Sequence, residues 1–114
     1  MDRTTTVAQL KTLIDKFVAQ RDWQQFHTPK NLAMGMAVEA AELMDLFKWE
    51  AGPETVELVR RPAIRRAVRE ELADVVIYCL ALANRAGIDV AQAVRAKLAK
   101  NRRKYPARKY RGKF

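Results

Sequence analysis

Apolar residues return every three or four positions along most of the chain, the spacing of one face of an α-helix, and alternating patterns longer than a few residues are absent. The pattern predicts an all-α fold, a bundle of four helices. The first is expected from Val7 to about Gln25, with Val7, Leu10, Ile14, Phe17 and Val18 as its apolar stripe and Thr6 with Gln9 as a capping box. The second has Thr28 as N-cap and Pro29 at the first helical position, where proline's missing N–H costs nothing, and is expected to end near Glu50, before Gly52-Pro53. The third is expected to start at Pro62 and stop at Gly87, a natural left-handed terminator. Asp89 caps a fourth, from Val90 to about Lys104, with Pro106 beyond. Ala51 to Arg61 is left as the one longer connection.

Acids interrupt two of the stripes. At 100° per residue, Leu32, Gly35, Met36, Glu39, Glu42, Leu43 and Leu46 share one side of the second helix. On the third, Ile64, Ala67, Val68, Glu71, Asp74, Val75, Tyr78 and Leu82 lie together, while Arg65, Arg66 and Arg69 fall elsewhere. Two acid pairs, each at i and i+3, therefore point where a core should be. A buried ionised carboxylate costs several kcal/mol even after relaxation, about 3–5 kcal/mol when its partner is missing, so four together call for compensating positive charge. One source is inter-helix ion pairs, but few basic residues on these two helices are placed to form them. The other is a metal. All-carboxylate oxygen donors suit hard ions such as Mg²⁺ or Mn²⁺. Zinc fits poorly, and a di-iron bundle needs Glu-x-x-His motifs that the only histidine, His27, does not complete.

With 114 residues and 49% apolar content, the chain is one domain's worth of material able to bury a core without disulfides. No apolar run approaches the ~20 residues of a membrane span, the opening residues lack a signal peptide's apolar segment, and the single cysteine, Cys79, forms no internal disulfide. A soluble protein of a reducing cytoplasm is expected, with no membrane partner. The formal charge of +9 resides wholly in Lys97 to Phe114, which holds nine Lys or Arg and no acid. That end should attract anions. It gives the rival reading, a basic helical protein that binds nucleic acid without catalysis; as a partner, nucleic acid is the less favoured of the two.

Glu39-x-x-Glu42, then 28 residues, then Glu71-x-x-Asp74 resembles the metal-binding signature of the all-α MazG-like nucleotide pyrophosphohydrolases, and within them the dCTP pyrophosphatases. The resemblance runs through Arg21-Asp22-Trp23-Gln24-Gln25-Phe26-His27-Thr28-Pro29-Lys30-Asn31, Phe47-Lys48-Trp49, Glu70 to Val75 with Tyr78, and Asn101 to Pro106. It spans about Thr4 to Pro106, so residues 1–106 read as the catalytic domain and 107–114 as a basic tail. The resemblance implies hydrolysis of a nucleoside triphosphate, dCTP or a modified dCTP, between its α and β phosphates. It further implies a homotetramer, a dimer of dimers with sites formed between subunits.

Carboxylate-held Mg²⁺ suits that chemistry, because phosphoryl transfer depends mostly on positioning and charge stabilisation. Glu39, Glu42, Glu71 and Asp74 are the expected metal ligands, and Glu39 or Glu42 also the group that orients or deprotonates the attacking water. Lys97 and Asn101, four apart on the fourth helix, are the triphosphate ligands the resemblance implies, and Trp23, His27, Trp49 and Tyr78 the nucleoside-binding positions. Phe26 is expected to close the core instead. One departure stands out: where eukaryotic dCTP enzymes carry a substrate-contacting histidine on the first helix, this chain aligns Ile14.

Overall fold

In the computed structural model, which describes residues 1–113, two helices lie along a third. The long central helix is α4 (Pro62–Ala86), and both α1 (Val7–Gln20) and α2 (Pro29–Asp45) pack on it. A short α3 (Gly52–Leu58) precedes α4; α5 (Val90–Lys104) and a single turn, α6 (Ala107–Tyr110), follow. Among the described residues there are no strands. Phe114, the last residue of the expected basic tail, lies outside the described residues.

Local signals set most helix ends. Thr6 Oγ1 accepts from the Gln9 N–H at 3.1 Å while Gln9 Oε1 accepts from the Thr6 N–H at 2.7 Å, the reciprocal pair of a capping box. Thr28 Oγ1 accepts from the Asn31 N–H at 3.1 Å, and Asp89 Oδ1 from the Gln92 N–H at 2.8 Å. At the far end of α4, Gly87 takes φ 65°, and the Ile88 N–H donates back to the Ala83 carbonyl at 2.9 Å. A residue with a side chain is disfavoured in that left-handed position.

Three expectations about the helices need correction. The first helix stops at Gln20 rather than Gln25, because Asp22 adopts φ 54° and turns the chain. A continued helix would place Trp23, six residues on, about 240° round from Phe17. The turn instead brings the two rings edge to face with centroids 5.8 Å apart, and a 3₁₀ turn, Gln24–Phe26, leads to α2. The second helix ends at Asp45 rather than Glu50. The N–H groups of Leu46, Phe47 and Glu50 donate three residues back, a tightened ending, and Ala51 is extended so that Gly52-Pro53 can open a new helix. That helix, α3, occupies most of the expected connection and buries Leu58.

A polar clasp joins α1 to the end of α4. Asn84 Nδ2 donates to the Lys11 carbonyl and to Asp15 Oδ1, both at 3.0 Å, and Lys11 Nζ donates to the Ile88 carbonyl at 2.8 Å. The core is small: Val18, Leu32, Leu58, Leu80, Ala81 and Ala83 are buried, Leu32 alone completely. Phe26, expected to close the core, is 58% exposed. The radius of gyration, 17.1 Å, exceeds the ~13 Å of a close-packed domain this long, since α5 extends away with Val94 and Leu98 uncovered.

Candidate active site

The packing of α2 on α4 brings the expected acids together. One carboxylate oxygen from each of Glu39, Glu42 and Glu71 lies within 4.8 Å of the others. Glu39 and Glu71 are half-buried and Glu42 is exposed. Oε2 of Glu39 and Oε2 of Glu71 are sealed from solvent and have no hydrogen-bond partner. Among the described residues the ion pairs are Lys48–Asp45 and Arg60–Glu57, so no Lys or Arg neutralises these acids.

The missing counter-charge registers in the acidities. Glu39 is pushed from its ordinary value of 4.5 up to about 7, first by desolvation, then by the adjacent carboxylate of Glu42 and by the charge of Asp74. Glu71 is raised as well, by desolvation first and the charge of Glu42 second. Asp74 stands outside the tight trio but beside Glu39 in the wall of the adjoining cavity. Two sealed carboxylate oxygens without donors, on Glu39 and Glu71 whose protons are held too tightly, are what a hard divalent cation would relieve. The residues fit such an ion.

Next to the acids a cavity of about 450 Å³ opens between α1 and α4. Glu39 and Asp74 form its acidic end; Leu13, Ile14, Phe17, Trp23, Ile77 and Tyr78 supply apolar walls, with His27 at the side. Its size and flat aromatic lining suit a nucleobase and sugar. Trp23, His27 and Tyr78 also line a neighbouring recess with Phe26, Asn31 and Leu32. A third, smaller space shares Ile14, Val18, His27 and Ala81 and ends on the polar groups of Asp15, Gln24, Asn84 and Arg85.

Of the residues named from the sequence, Glu39, Glu42 and Glu71 converge, Asp74 flanks them, and Trp23, His27 and Tyr78 line the cavity. Trp49, Lys97 and Asn101 do not line it: Trp49 is 86% exposed past the end of α2, and α5 carries Lys97 and Asn101 elsewhere. Ile14, noted as a departure, is a wall residue. Sequence reasoning passed over Leu13, Phe17 and Ile77 as site residues. Phe17 lies on the expected apolar stripe of α1, where periodicity does not distinguish a pocket wall from a core, while Leu13 and Ile77 lie off the expected stripes.

Residues 35–113 match the model of the MazG-like family. The chain is 42% identical to dCTP pyrophosphatase 1 of Bos taurus over 107 residues, 94% of this chain and 63% of that protein. It is 43% identical to dCTP pyrophosphatase 1 of Homo sapiens over 102 residues, 90% of this chain and 60% of that one. It thus spans about three fifths of these relatives' length. A pyrophosphatase from Archaeoglobus fulgidus DSM 4304, known as a crystal structure, superposes with a TM-score of 0.81 at 41% identity, covering 87% of this chain and 91% of that one.

Proposed function

The chain belongs to the MazG-like family, and we propose that it is a Mg²⁺-dependent nucleoside triphosphate pyrophosphohydrolase acting on dCTP or a modified dCTP. The observation that carries this reading is the acid trio, with two sealed and unpartnered carboxylate oxygens, joined through Glu39 to an aromatic-walled cavity. The likeness to two dCTP pyrophosphatases and to a third pyrophosphatase supports it.

Glu39, Glu42, Glu71 and Asp74 hold Mg²⁺ or Mn²⁺ in this reading. Bound there, the ion supplies Lewis acidity toward the scissile anhydride and screens the phosphate charge. Trp23 and Tyr78 stack or flank the base, His27 meets its edge or sugar, and the apolar walls exclude water from that end. The triphosphate then points at the acidic end, where water is delivered to the α–β linkage. Glu39, or Glu42 beside it, orients that water and takes its proton. The products are the nucleoside monophosphate and pyrophosphate. The chemistry needs no Ser, Cys or His nucleophile.

Trp49, Lys97 and Asn101 enter the reading through assembly: we propose a homotetramer, a dimer of dimers, in which they reach substrate bound by a neighbouring subunit. The uncovered Val94 and Leu98 of α5 and the small core of a single chain support it. No described helix is long and apolar enough to cross a membrane, and a cytoplasmic location, among free nucleotides, agrees with the proposed substrate.

Incubation with Mg²⁺ and a panel of deoxy- and ribonucleoside triphosphates, with monophosphate and pyrophosphate both quantified, tests the proposal. Equimolar release of the two, highest for cytosine nucleotides and abolished by chelation, is expected. Stepwise release of inorganic phosphate, or no turnover, would overturn it.

A further inference from the structure

Gly35 lies on the buried side of α2, one turn before Glu39, with the ring of Tyr78 from α4 occupying the space a side chain there would need. A Cβ placed at position 35 would fall 2.7 Å from Tyr78 Cζ and 2.9 Å from Cδ1, and nearer still to Cε1. The three nearest atoms all belong to that ring. Gly35 has ordinary helical backbone, so no unusual φ calls for glycine there. A glycine inside a helix is less favourable than alanine, because it loses more backbone freedom on folding. The position therefore forgoes helix stability for the close approach of one aromatic side chain.

That side chain is a wall of the cavity. Tyr78 borders both the 450 Å³ space beside Glu39 and Asp74 and the recess formed with Trp23, Phe26 and His27. To regain the ~3.5 Å separation of non-bonded carbons from a new methyl group, the ring must shift by on the order of 1 Å. Tyr78 lines both cavities, so a displaced ring has that open space to move into.

We propose that Gly35 is a specificity-determining position acting through Tyr78: its missing side chain lets the ring approach α2 closely and so sets the width of the nucleobase pocket. A chain with alanine there would have a narrower pocket and an unchanged acid trio. The inference rests on the nucleotide reading above and adds to it which residue fixes the size of base admitted. It also gives Gly35 no contact with substrate, so it is a positioning residue.

The test is a double-mutant cycle of Gly35→Ala and Tyr78→Leu, read by the Kd of α,β-imido-dCTP, a non-hydrolysable probe, together with a crystal structure of Gly35→Ala. In the parent chain Gly35→Ala is expected to weaken probe binding about tenfold, the scale of one methylene's misfit in a pocket. Mg²⁺-induced thermal stabilisation should be unchanged, and KM should rise while kcat holds. In the Tyr78→Leu background the same substitution should change Kd by less than about twofold, because the ring it displaces is gone. The crystal structure should show Tyr78 moved into the cavity with α2 in place. An equal loss in both backgrounds, no loss in the parent, or a ring that stays while α2 shifts would overturn the proposal. A parent chain that binds no nucleotide would overturn the nucleotide reading itself, whereas normal parent binding that is indifferent to Gly35→Ala defeats this inference alone.

Discussion

Glu39 concentrates the electrostatic cost of the site in one side chain. It binds its proton more tightly in the folded state, at about 7, than in the unfolded chain, near 4.5. Between those values the native state holds more protons than the unfolded one, so raising the pH lowers the stability of the metal-free protein; below about 4.5 the penalty is absent, and above about 7 it is complete. Glu71 adds to the effect in the same direction. Metal-free Tm should therefore fall as pH rises from 5 to 8, and added Mg²⁺ should raise it more at pH 8 than at pH 6, because the ion competes with the proton. Glu39→Gln should flatten that slope and raise the metal-free Tm at pH 8 while reducing pyrophosphate release at least about a hundredfold. Calorimetry across pH and a turnover assay on the same variant check both halves. A variant that loses stability and activity together would point to a structural role instead. The residues of the trio were legible because i, i+3 spacing puts acids on an apolar face whatever surrounds them.

Helix ends are decided by a few neighbouring groups, so Thr6, Thr28, Pro62, Gly87 and Asp89 could be read directly from the chain. The end of α1 could not. Asp22's left-handed turn is stabilised by what it achieves in space, bringing Trp23 back onto Phe17, while Arg21 lies 3.7 Å over the same ring and donates to the Phe17 carbonyl. α3 escaped for a different reason: seven residues with one buried leucine give too short a period to recognise. Between elements, the Asn84 clasp holds the α1 wall of the cavity against α4. Asn84→Ala removes two hydrogen bonds worth about 1 kcal/mol each, and Tm should drop by roughly 4–8 °C per kcal/mol lost. Since α1 carries Leu13, Ile14 and Phe17, KM should rise more than kcat falls. Thermal melts and steady-state kinetics measure the two effects, and an unaltered KM would show that the clasp does not shape the pocket.

At the scale of the whole molecule, one chain leaves too much apolar surface open for its size. Leu13 is 61% exposed, Val38 56% and Val94 51%, and α5 has little of its own chain to rest on. A second copy is the occupant proposed for these faces. Val94→Glu with Leu98→Glu should therefore dissociate the assembly and reduce turnover by at least about tenfold, although neither residue touches the acid trio, because desolvating charge at a packed interface is costly. Light scattering alongside the turnover assay tests this. A parent chain that is monomeric at assay concentrations and fully active would rule the assembly out as a condition of activity.

By itself, the sequence determined the helical class, most helix starts and the grouping of acids on two faces. Those depend on periodicity and on contacts within one or two turns, which the order of residues specifies directly. The tertiary structure decided which carboxylate oxygens are sealed without donors, which apolar residues line a cavity rather than a core, and how Tyr78 rests on Gly35. Each of these is set by the distance and rotation between two helices. Such quantities arise from packing across the whole interface, and no local pattern of residues encodes them.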